Sequence, residues 1–108
     1  MSSPLSIVFC GTPVFAVPSL EALVNDPVFS VDLVITQPDK PVGRKQIVMP
    51  PAVKIVAVKK GIPVFQPQKL NAELPMLEKM LRKRPDFLVV VAYGQILRQE
   101  ALDIPRRG

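Results

Sequence analysis

Three cations follow the second apolar run of this sequence, in the stretch TQPDKPVGRKQ at residues 36–46. Lys40, Arg44 and Lys45 stand among prolines, which stiffen the chain, and a glycine, which allows it to bend. Cations held at the tip of such a loop can bind phosphates, lysine as a point charge and arginine as a bidentate fork. A solvated, hairpin-like loop explains the same composition, so both interpretations remain open on these residues alone.

A second group follows the most apolar run, in VVVAYGQIL at residues 89–97. An aromatic residue, a glycine and two aliphatic residues come just past the expected end of a buried strand. An apolar slot with free backbone groups at that point could hold a flat heterocycle. The alternative is that Ile96 and Leu97 only cap the hydrophobic core.

The first apolar run ends in a glycine turn, CGTPVF at residues 10–15. Gly11 stands alone there, so the pattern is not the G-x-G-x-x-G of dinucleotide sites. Asp39 lies near where a ribose-binding acid would be expected, but Lys40 and Pro41 follow it. A dinucleotide site is therefore disfavoured, and Gly11 suits a structural turn at least as well as a ligand contact.

The residue types that are missing restrict the chemistry further. There is no histidine, and Cys10 is the one cysteine, so a zinc site is not expected. Without histidine the chain lacks the usual general base near neutral pH, and we assign it no catalytic residue and no metal ligand. Cys10 ends an apolar run and is expected to be buried. A lone cysteine cannot form an intrachain disulfide, which favours a reducing compartment.

The charge and hydropathy of the chain are moderate. The formal charge of +5, from 14 Lys and Arg against 9 Asp and Glu, permits an anionic partner without requiring one. No apolar run approaches the ~18 residues of a membrane helix, and the first residues lack the pattern of a signal or transit peptide. We therefore expect a cytoplasmic protein with no membrane contact.

Apolar strand patterns and helical patterns alternate along the chain. The predicted strands are residues 5–10, 31–36, 63–66 and 86–94. The predicted helices are residues 17–25, with Ser19 as a possible cap, 51–61, and 75–84, with Met76, Leu77, Met80 and Leu81 inward. This alternation predicts an α/β fold with a doubly wound parallel sheet of about four strands. Ligands of such sheets bind at the carboxyl ends of the strands, where CGTP, TQPD and AYGQIL would meet.

Taken together, four stretches resemble the methionyl-tRNA formyltransferases. They are IVFCGTPVFAVPSLEAL, TQPDKPVGRKQIVMPPAVK, GIPVFQPQKL and PDFLVVVAYGQILRQEALDIPR, in the same order over nearly the whole chain. Related folate-dependent formyltransferases share the Rossmann-like fold and the VVVAYGQIL-like segment. The QPD-P-GR loop followed by P-VK favours the branch that acts on tRNA.

The resemblance implies transfer of a formyl group from 10-formyltetrahydrofolate to the methionyl amino group of initiator methionyl-tRNA, in translation initiation. It implies that Lys40, Arg44 and Lys45 contact the tRNA, with Arg44 matching the most important arginine. The folate would lie against Tyr93, Gly94, Gln95, Ile96 and Leu97. Gly11, Thr12 and Pro13 match the turn that faces the acceptor substrate. Arg98 departs from the proline of the family's QILP pattern, which affects only the exit from the slot.

The resemblance also sets an expected limit. The family has its catalytic asparagine and histidine in an N-V-H-x-S-L-L-P segment that comes after the matched part, followed by a catalytic aspartate and a C-terminal barrel. Residues 1–108 would then be the N-terminal part of the catalytic domain, without the barrel and inactive alone. The last predicted strand would leave an unpaired apolar edge and favour self-association. The alternatives are a non-catalytic α/β binding module and a related small-molecule formyltransferase.

Overall fold

A computed structural model describes residues 4–81 and 84–108. The strands are β1 (Leu5–Gly11), β2 (Phe29–Ile35), β3 (Lys40–Val42), β4 (Ile47–Met49), β5 (Val64–Phe65) and β6 (Phe87–Val91). The helices are α1 (Val17–Asn25), α2 (Ala52–Lys59), α3 (Leu74–Met80) and α4 (Gln99–Leu102). Short 3₁₀ turns cover Val14–Ala16 and Leu70–Ala72. Within these residues no helix is long and apolar enough to cross a membrane.

The predicted parallel sheet is confirmed, with four strands in the order β5-β2-β1-β6. β1 pairs in parallel with β2 on one side and with β6 on the other, and β2 pairs with β5. After β1 the chain adds β2 and β5 on one side, and it then crosses back to add β6 on the other side of β1. Such a reversal is the topological switch point of a doubly wound sheet, where ligands bind outside the carboxyl ends of the strands.

The sheet is covered on both faces, as the continuous apolar strands predict. One core cluster packs α1 and α2 against the sheet: Phe9, Ala16, Leu20, Val34, Val53 and Ala57. The other lies beneath the segment from Leu70 to Leu77: Val8, Cys10, Leu33, Ile35, Leu70, Leu77 and Tyr93. Alternate residues of β1 and of the second half of β2 point to opposite clusters, so these parts of the sheet are buried on both sides. Cys10 is buried as predicted.

The starts of the first two helices are set by proline. Pro18 occupies the first turn of α1, and Pro51 is the N-cap of α2, where the missing amide hydrogen costs little. The predicted cap at Ser19 is wrong, because α1 begins at Val17 and Ala16 is its N-cap, without a side-chain hydrogen bond. Gly61, with a φ of 72°, follows the C-cap Lys60 and ends α2 where the sequence predicted.

The inward face of α3 differs from the prediction. Leu77 is buried and Leu81 packs beside it, but Met76 is 51% exposed and Met80 is 40% exposed. The 3.6-residue period explains the error, because Leu74, Leu77 and Leu81 form a complete inward stripe by themselves. The helix prediction also extended to residue 84, and its residues 82 and 83 lie outside the described part of the chain.

The loop after β2 forms a two-stranded antiparallel hairpin, β3–β4, which we call the basic hairpin (residues 40–49). Its turn is held by Gln46, whose backbone and side-chain amides both donate to the carbonyl oxygen of Gly43, at 3.2 and 2.8 Å. Gly43 has a φ of 74°, a conformation that favours glycine. All residues of the hairpin are exposed. The hairpin-like shape was among the two interpretations left open, but no strands were predicted here, since no apolar periodicity marks two three-residue strands.

The outer edge of β6 is partly covered. The Leu88 amide donates to the Gly108 carbonyl at 2.9 Å, and the Arg107 amide donates to the Asp86 carbonyl at 2.8 Å. Residues 106–108 thus run beside the start of β6, and an Arg107–Asp86 ion pair adds to this contact. The predicted unpaired edge is wrong for the first half of the strand. Val90 further along remains 45% exposed.

Candidate functional site

Three segments meet at the carboxyl edge of the sheet, after β1, β2 and β6. The Thr12 hydroxyl donates to the Tyr93 carbonyl at 2.7 Å and accepts from the Gln37 amide at 3.3 Å. One side chain therefore joins the ends of all three strands. The substrate-facing turn of the prediction, Gly11 to Pro13, lies directly beside the predicted folate segment, and Pro13 is exposed.

Gly11 has a steric role in this junction. A Cβ atom at this position would lie 2.7 Å from the Phe9 ring, 2.9 Å from the Val91 carbonyl oxygen and 3.0 Å from the Ala16 Cβ. Any side chain would push β6 or the following 3₁₀ turn away from β1. Gly11 therefore has the structural role that the sequence left open. Its lack of a side chain keeps the ends of β1 and β6 in contact.

The segment after β6 turns sharply around Tyr93. Ala92 and Gly94, on either side of it, have φ values of 51° and 101°. This backbone directs the Tyr93 side chain into the core, where it is 2% exposed and its hydroxyl has no partner among the described residues. Burial raises the pKa of Tyr93, and the nearby Cys10 and Glu73 raise it further. The Tyr93 side chain thus fills the core, and only its backbone faces the edge.

Gln95 acts as a brace at the same edge. Its side-chain oxygen accepts from the Leu70 amide at 2.8 Å, while its nitrogen donates to the Gln37 side-chain oxygen at 2.9 Å. The same nitrogen donates to the carbonyls of Pro67 and Gln68, at 3.3 and 3.1 Å. Gln95 therefore connects β6, β2 and the segment that follows β5, which holds one wall of the edge in place.

A cleft of about 480 Å³ opens beside Gln95. It is lined by Gln68, Lys69, Asn71, Ala72, Gly94, Gln95, Ile96 and Arg98. Three of the five residues predicted to hold folate are in this lining; Tyr93 is buried and Leu97 packs on the core. Ile96 is 88% exposed, so it does not cap the core as the alternative reading had it. The cleft has two cations and no carboxylate in its lining.

Asn71 joins the same two segments at a second point of the cleft. Its side-chain nitrogen donates to the Ile96 carbonyl at 2.7 Å, and its oxygen accepts from the Arg98 amide at 3.0 Å. Both partners belong to the segment after β6, so the cleft is bounded by two segments that are tied to each other. Such a preformed opening suits a ligand with apolar and polar parts.

The three predicted phosphate-binding cations lie together on the basic hairpin. Lys40 begins β3, and Arg44 and Lys45 form the turn. All three are exposed, and none takes part in an ion pair within residues 4–81 and 84–108. The hairpin also exposes Val42 and Ile47 by more than half, so an apolar surface lies beside the cations.

The sequence did not indicate the polar residues that connect these parts. Asp39 lies between the Lys54 ammonium, at 3.1 Å, and the Gln66 amide nitrogen, at 2.7 Å. The Gln66 hydrogen bond and Lys54 lower the pKa of Asp39 against an opposing effect of burial. Gln66 directly follows β5 and Gln37 comes two residues after β2, and this position at a strand end is the one signal that could have marked them.

No group of three or more histidine, cysteine or acidic residues suited to a metal ion occurs in the described parts of the chain. The Cys10 thiol lies under the edge, and burial raises its pKa to about 12. A thiol with this pKa is protonated at neutral pH and is not a nucleophile.

Comparison with known proteins agrees with the geometry. The sequence model of the formyl transferase family matches residues 5–108. A methionyl-tRNA formyltransferase of Clostridium acetobutylicum is 54% identical over 102 residues, which cover 94% of this chain and 32% of the relative. One from Clostridium perfringens is 52% identical over 105 residues, covering 96% and 33%. One from Caldicellulosiruptor saccharolyticus is 49% identical over 104 residues, also covering 96% and 33%.

The chain thus spans about a third of the length of the curated relatives it matches. The match nevertheless covers the strands, the glycine turn after β1, the basic hairpin and the segment after β6, all within residues 5–108. On this evidence the chain belongs to the formyl transferase family.

Proposed function

We propose that this chain contributes the donor-binding edge and an RNA-binding hairpin to a methionyl-tRNA formyltransferase. The reaction moves a formyl group from 10-formyltetrahydrofolate to the α-amino group of methionine on initiator tRNA. Translation is initiated in the cytoplasm, so the proposed location is cytoplasmic. The cleft beside Gln95 would hold the folate, and the turn from Gly11 to Pro13 would face the methionyl group.

The single observation that carries this proposal is the Thr12–Tyr93 hydrogen bond of 2.7 Å. It joins the segment assigned to the acceptor with the segment assigned to the donor, at the switch point of the sheet. Formyl transfer requires the attacking nitrogen and the formyl carbon to approach within about 3–3.5 Å, so the two substrates must bind side by side. Adjacent strand ends meet this requirement.

The proposed reaction forms a bond between the amino nitrogen and the formyl carbon, and breaks the bond between that carbon and folate N10. The amine loses a proton and the folate nitrogen gains one. Three titratable groups near this edge do not suit that proton transfer: the Cys10 thiol and the Tyr93 hydroxyl are buried with raised pKa values, and Asp39 is engaged by Lys54. The general base is therefore proposed to come from residues outside these 108.

The basic hairpin is proposed to bind the acceptor arm of the tRNA. Lys40, Arg44 and Lys45 are exposed and unpaired within the described residues, so their charges are available to phosphates. Phosphate contacts supply most of the sequence-independent affinity for RNA and depend strongly on salt. Arg44 at the turn can form a bidentate contact, which lysine cannot.

The test is a chimera in which these residues replace the matching third of the Clostridium acetobutylicum relative. We expect it to formylate methionyl-tRNA with 10-formyltetrahydrofolate, whereas the 108 residues alone do not. In the chimera, Arg44→Glu should raise the KM for the tRNA by about tenfold or more, and should reduce the salt slope of binding by about one. The KM for the folate should stay within about twofold, because Arg44 lies outside the cleft.

Lys60→Glu is the matched control, because Lys60 is exposed and lies at the opposite end of α2 from the hairpin. It makes the same change of charge and should leave the KM for tRNA nearly unchanged. Equal increases in the KM for tRNA from the two substitutions would mean that Arg44 acts only through the net charge of the protein. A chimera that formylates only small amines and ignores Arg44→Glu would contradict tRNA as the substrate.

A further inference from the structure

We propose that Asp39 is a positioning residue that fixes the basic hairpin relative to the carboxyl edge of the sheet through Lys54 and Gln66. The inference rests on the proposed function, since it assumes that the hairpin binds RNA. It adds a residue that carries no positive charge and touches no phosphate, yet determines RNA affinity.

The legs of the hairpin need such an anchor. Pro38 and Pro41 lie on the outgoing leg, and Pro50 and Pro51 on the returning leg. Proline has no amide hydrogen, so these positions cannot donate backbone hydrogen bonds to the rest of the protein. All residues of the hairpin itself are exposed and supply no buried core contact. Side chains at its base must therefore hold it.

Asp39 is the last residue before β3 and makes the required contacts. The Lys54 ammonium lies 3.2 and 3.1 Å from its two carboxylate oxygens. The Gln66 amide nitrogen donates to Oδ1 at 2.7 Å. Lys54 belongs to α2 and Gln66 directly follows β5, so one carboxylate ties the hairpin to two separate elements.

The same amide connects the hairpin base to the cleft. The Gln66 nitrogen also donates to the Gln37 carbonyl at 3.1 Å, and the Gln37 side-chain oxygen accepts from Gln95 at 2.9 Å. These hydrogen bonds connect Gln95, which lines the cleft, through the side chain and backbone of Gln37 to Gln66 and Asp39. On the proposed function, these contacts would set the distance between folate in the cleft and RNA on the basic hairpin.

The sign of the effect distinguishes this proposal from simple electrostatics. Asp39 is an anion at the base of the hairpin that carries Lys40, Arg44 and Lys45, so removing its charge should strengthen the attraction of the hairpin for RNA. If Asp39 positions the hairpin, removing it should weaken binding instead, because the cations lose their common orientation. Opposite predictions for one substitution make the experiment decisive.

The experiment measures the fluorescence anisotropy of a labelled RNA acceptor-stem hairpin with a single-stranded 3′ end, at fixed salt. Both the 108-residue chain and the chimera are titrated. We expect Asp39→Ala to weaken RNA binding by about fivefold or more, Asp39→Asn to weaken it less, and Asp39→Glu to restore most of the affinity. In the chimera, Asp39→Ala should raise the KM for methionyl-tRNA by a similar factor while kcat stays within about twofold.

Glu21→Gln is the matched control, because it removes one negative charge from an exposed position on α1. Unfolding midpoints of all variants identify any that fail to fold; Asp39→Asn keeps the side-chain volume, and Asp39→Glu keeps the charge. If Asp39→Ala and Asp39→Asn bind RNA as tightly as Glu21→Gln, or more tightly, the inference is overturned. If wild type binds RNA but Arg44→Glu has no effect, the proposed function of the hairpin fails instead.

Discussion

At the residue scale, the candidate site depends on small groups that join strand ends. The Thr12 hydroxyl connects Tyr93 and Gln37, and the Gln95 amide connects Gln37 to the segment after β5. These side chains are partly exposed, yet each satisfies backbone groups that would otherwise lack partners at the edge. Their positions are consequently fixed before any ligand binds, which reduces the entropic cost of binding.

Gly94 provides a residue-scale test of this arrangement. Its φ is 101°, and a Cβ would lie 2.7 Å from the Gln37 side-chain nitrogen. Gly94→Ala should therefore lower the free energy of unfolding by about 2–3 kcal/mol, through backbone strain and displacement of Gln37. Gly43→Ala is the control, since Gly43 has a φ of 74° but nothing within 4 Å of the Cβ position.

The control should cost about 1 kcal/mol from strain alone. The difference between the two variants, measured by urea unfolding, reports the contact with Gln37 together with the extra backbone strain at the larger φ of Gly94. Equal losses would show that Gln37 moves aside freely, and would remove the argument for a rigid edge.

Cys10 makes stability depend on pH. Burial raises the pKa of Cys10 to about 12 in the folded state, from the ordinary cysteine value of 9.0. A raised pKa means that the folded protein holds the thiol proton more tightly than the unfolded chain does, which contributes to the stability of the fold. This contribution is fully present below pH 9 and is lost as the pH rises toward 12. Between pH 9 and 10 the free energy of unfolding should fall by up to about 1.4 kcal/mol.

The Cys10→Ala variant is the reference for this measurement, since it keeps every other titrating group. Its absolute stability will be lower because of the cavity, but its stability should fall less steeply with pH over the same range. Parallel pH profiles for the two proteins would contradict a buried, protonated thiol.

At the scale of elements, apolar runs and prolines were sufficient to predict the parallel strands and the starts of α1 and α2. They did not select the correct inward residues where two different helical stripes fit the same segment. In α3 both Met76 and Leu77 suit a helical stripe, and only packing beneath Leu70 selects the leucines. The basic hairpin was missed as regular structure because its strands are three residues long and fully exposed. Hydrophobic periodicity carries no information about such strands.

The candidate site was predictable to a similar extent. The rule that ligands bind at strand ends selected Gly11 to Pro13 and the segment after β6, which the structure brings together. The hydrogen-bonded glutamines and the Asp39–Lys54 pair were not predictable, because side-chain partners 15 to 58 residues apart leave no local pattern. The direction of the Tyr93 side chain was equally inaccessible, since it depends on positive φ values at Ala92 and Gly94.

At the scale of the whole molecule, one edge of the sheet is only partly covered within the described residues. β6 pairs with β1 on one side, and residues 106–108 cover the start of its other side. Val90 lies beyond this cover and is 45% exposed. An apolar edge of this kind can pair with another copy of the chain. Loss of the contact with residues 106–108 should therefore increase self-association.

Arg107→Pro tests that link, because it removes the amide that donates to the Asp86 carbonyl at 2.8 Å. We expect a loss of about 1–3 kcal/mol in the free energy of unfolding and more dimers or larger species in sedimentation velocity. Arg107→Ala keeps the amide and removes only the exposed ion pair with Asp86, so its stability should change by less than about 1 kcal/mol and its association should not change. If Arg107→Pro stays monomeric at every concentration tested, the edge is not the surface through which this protein associates.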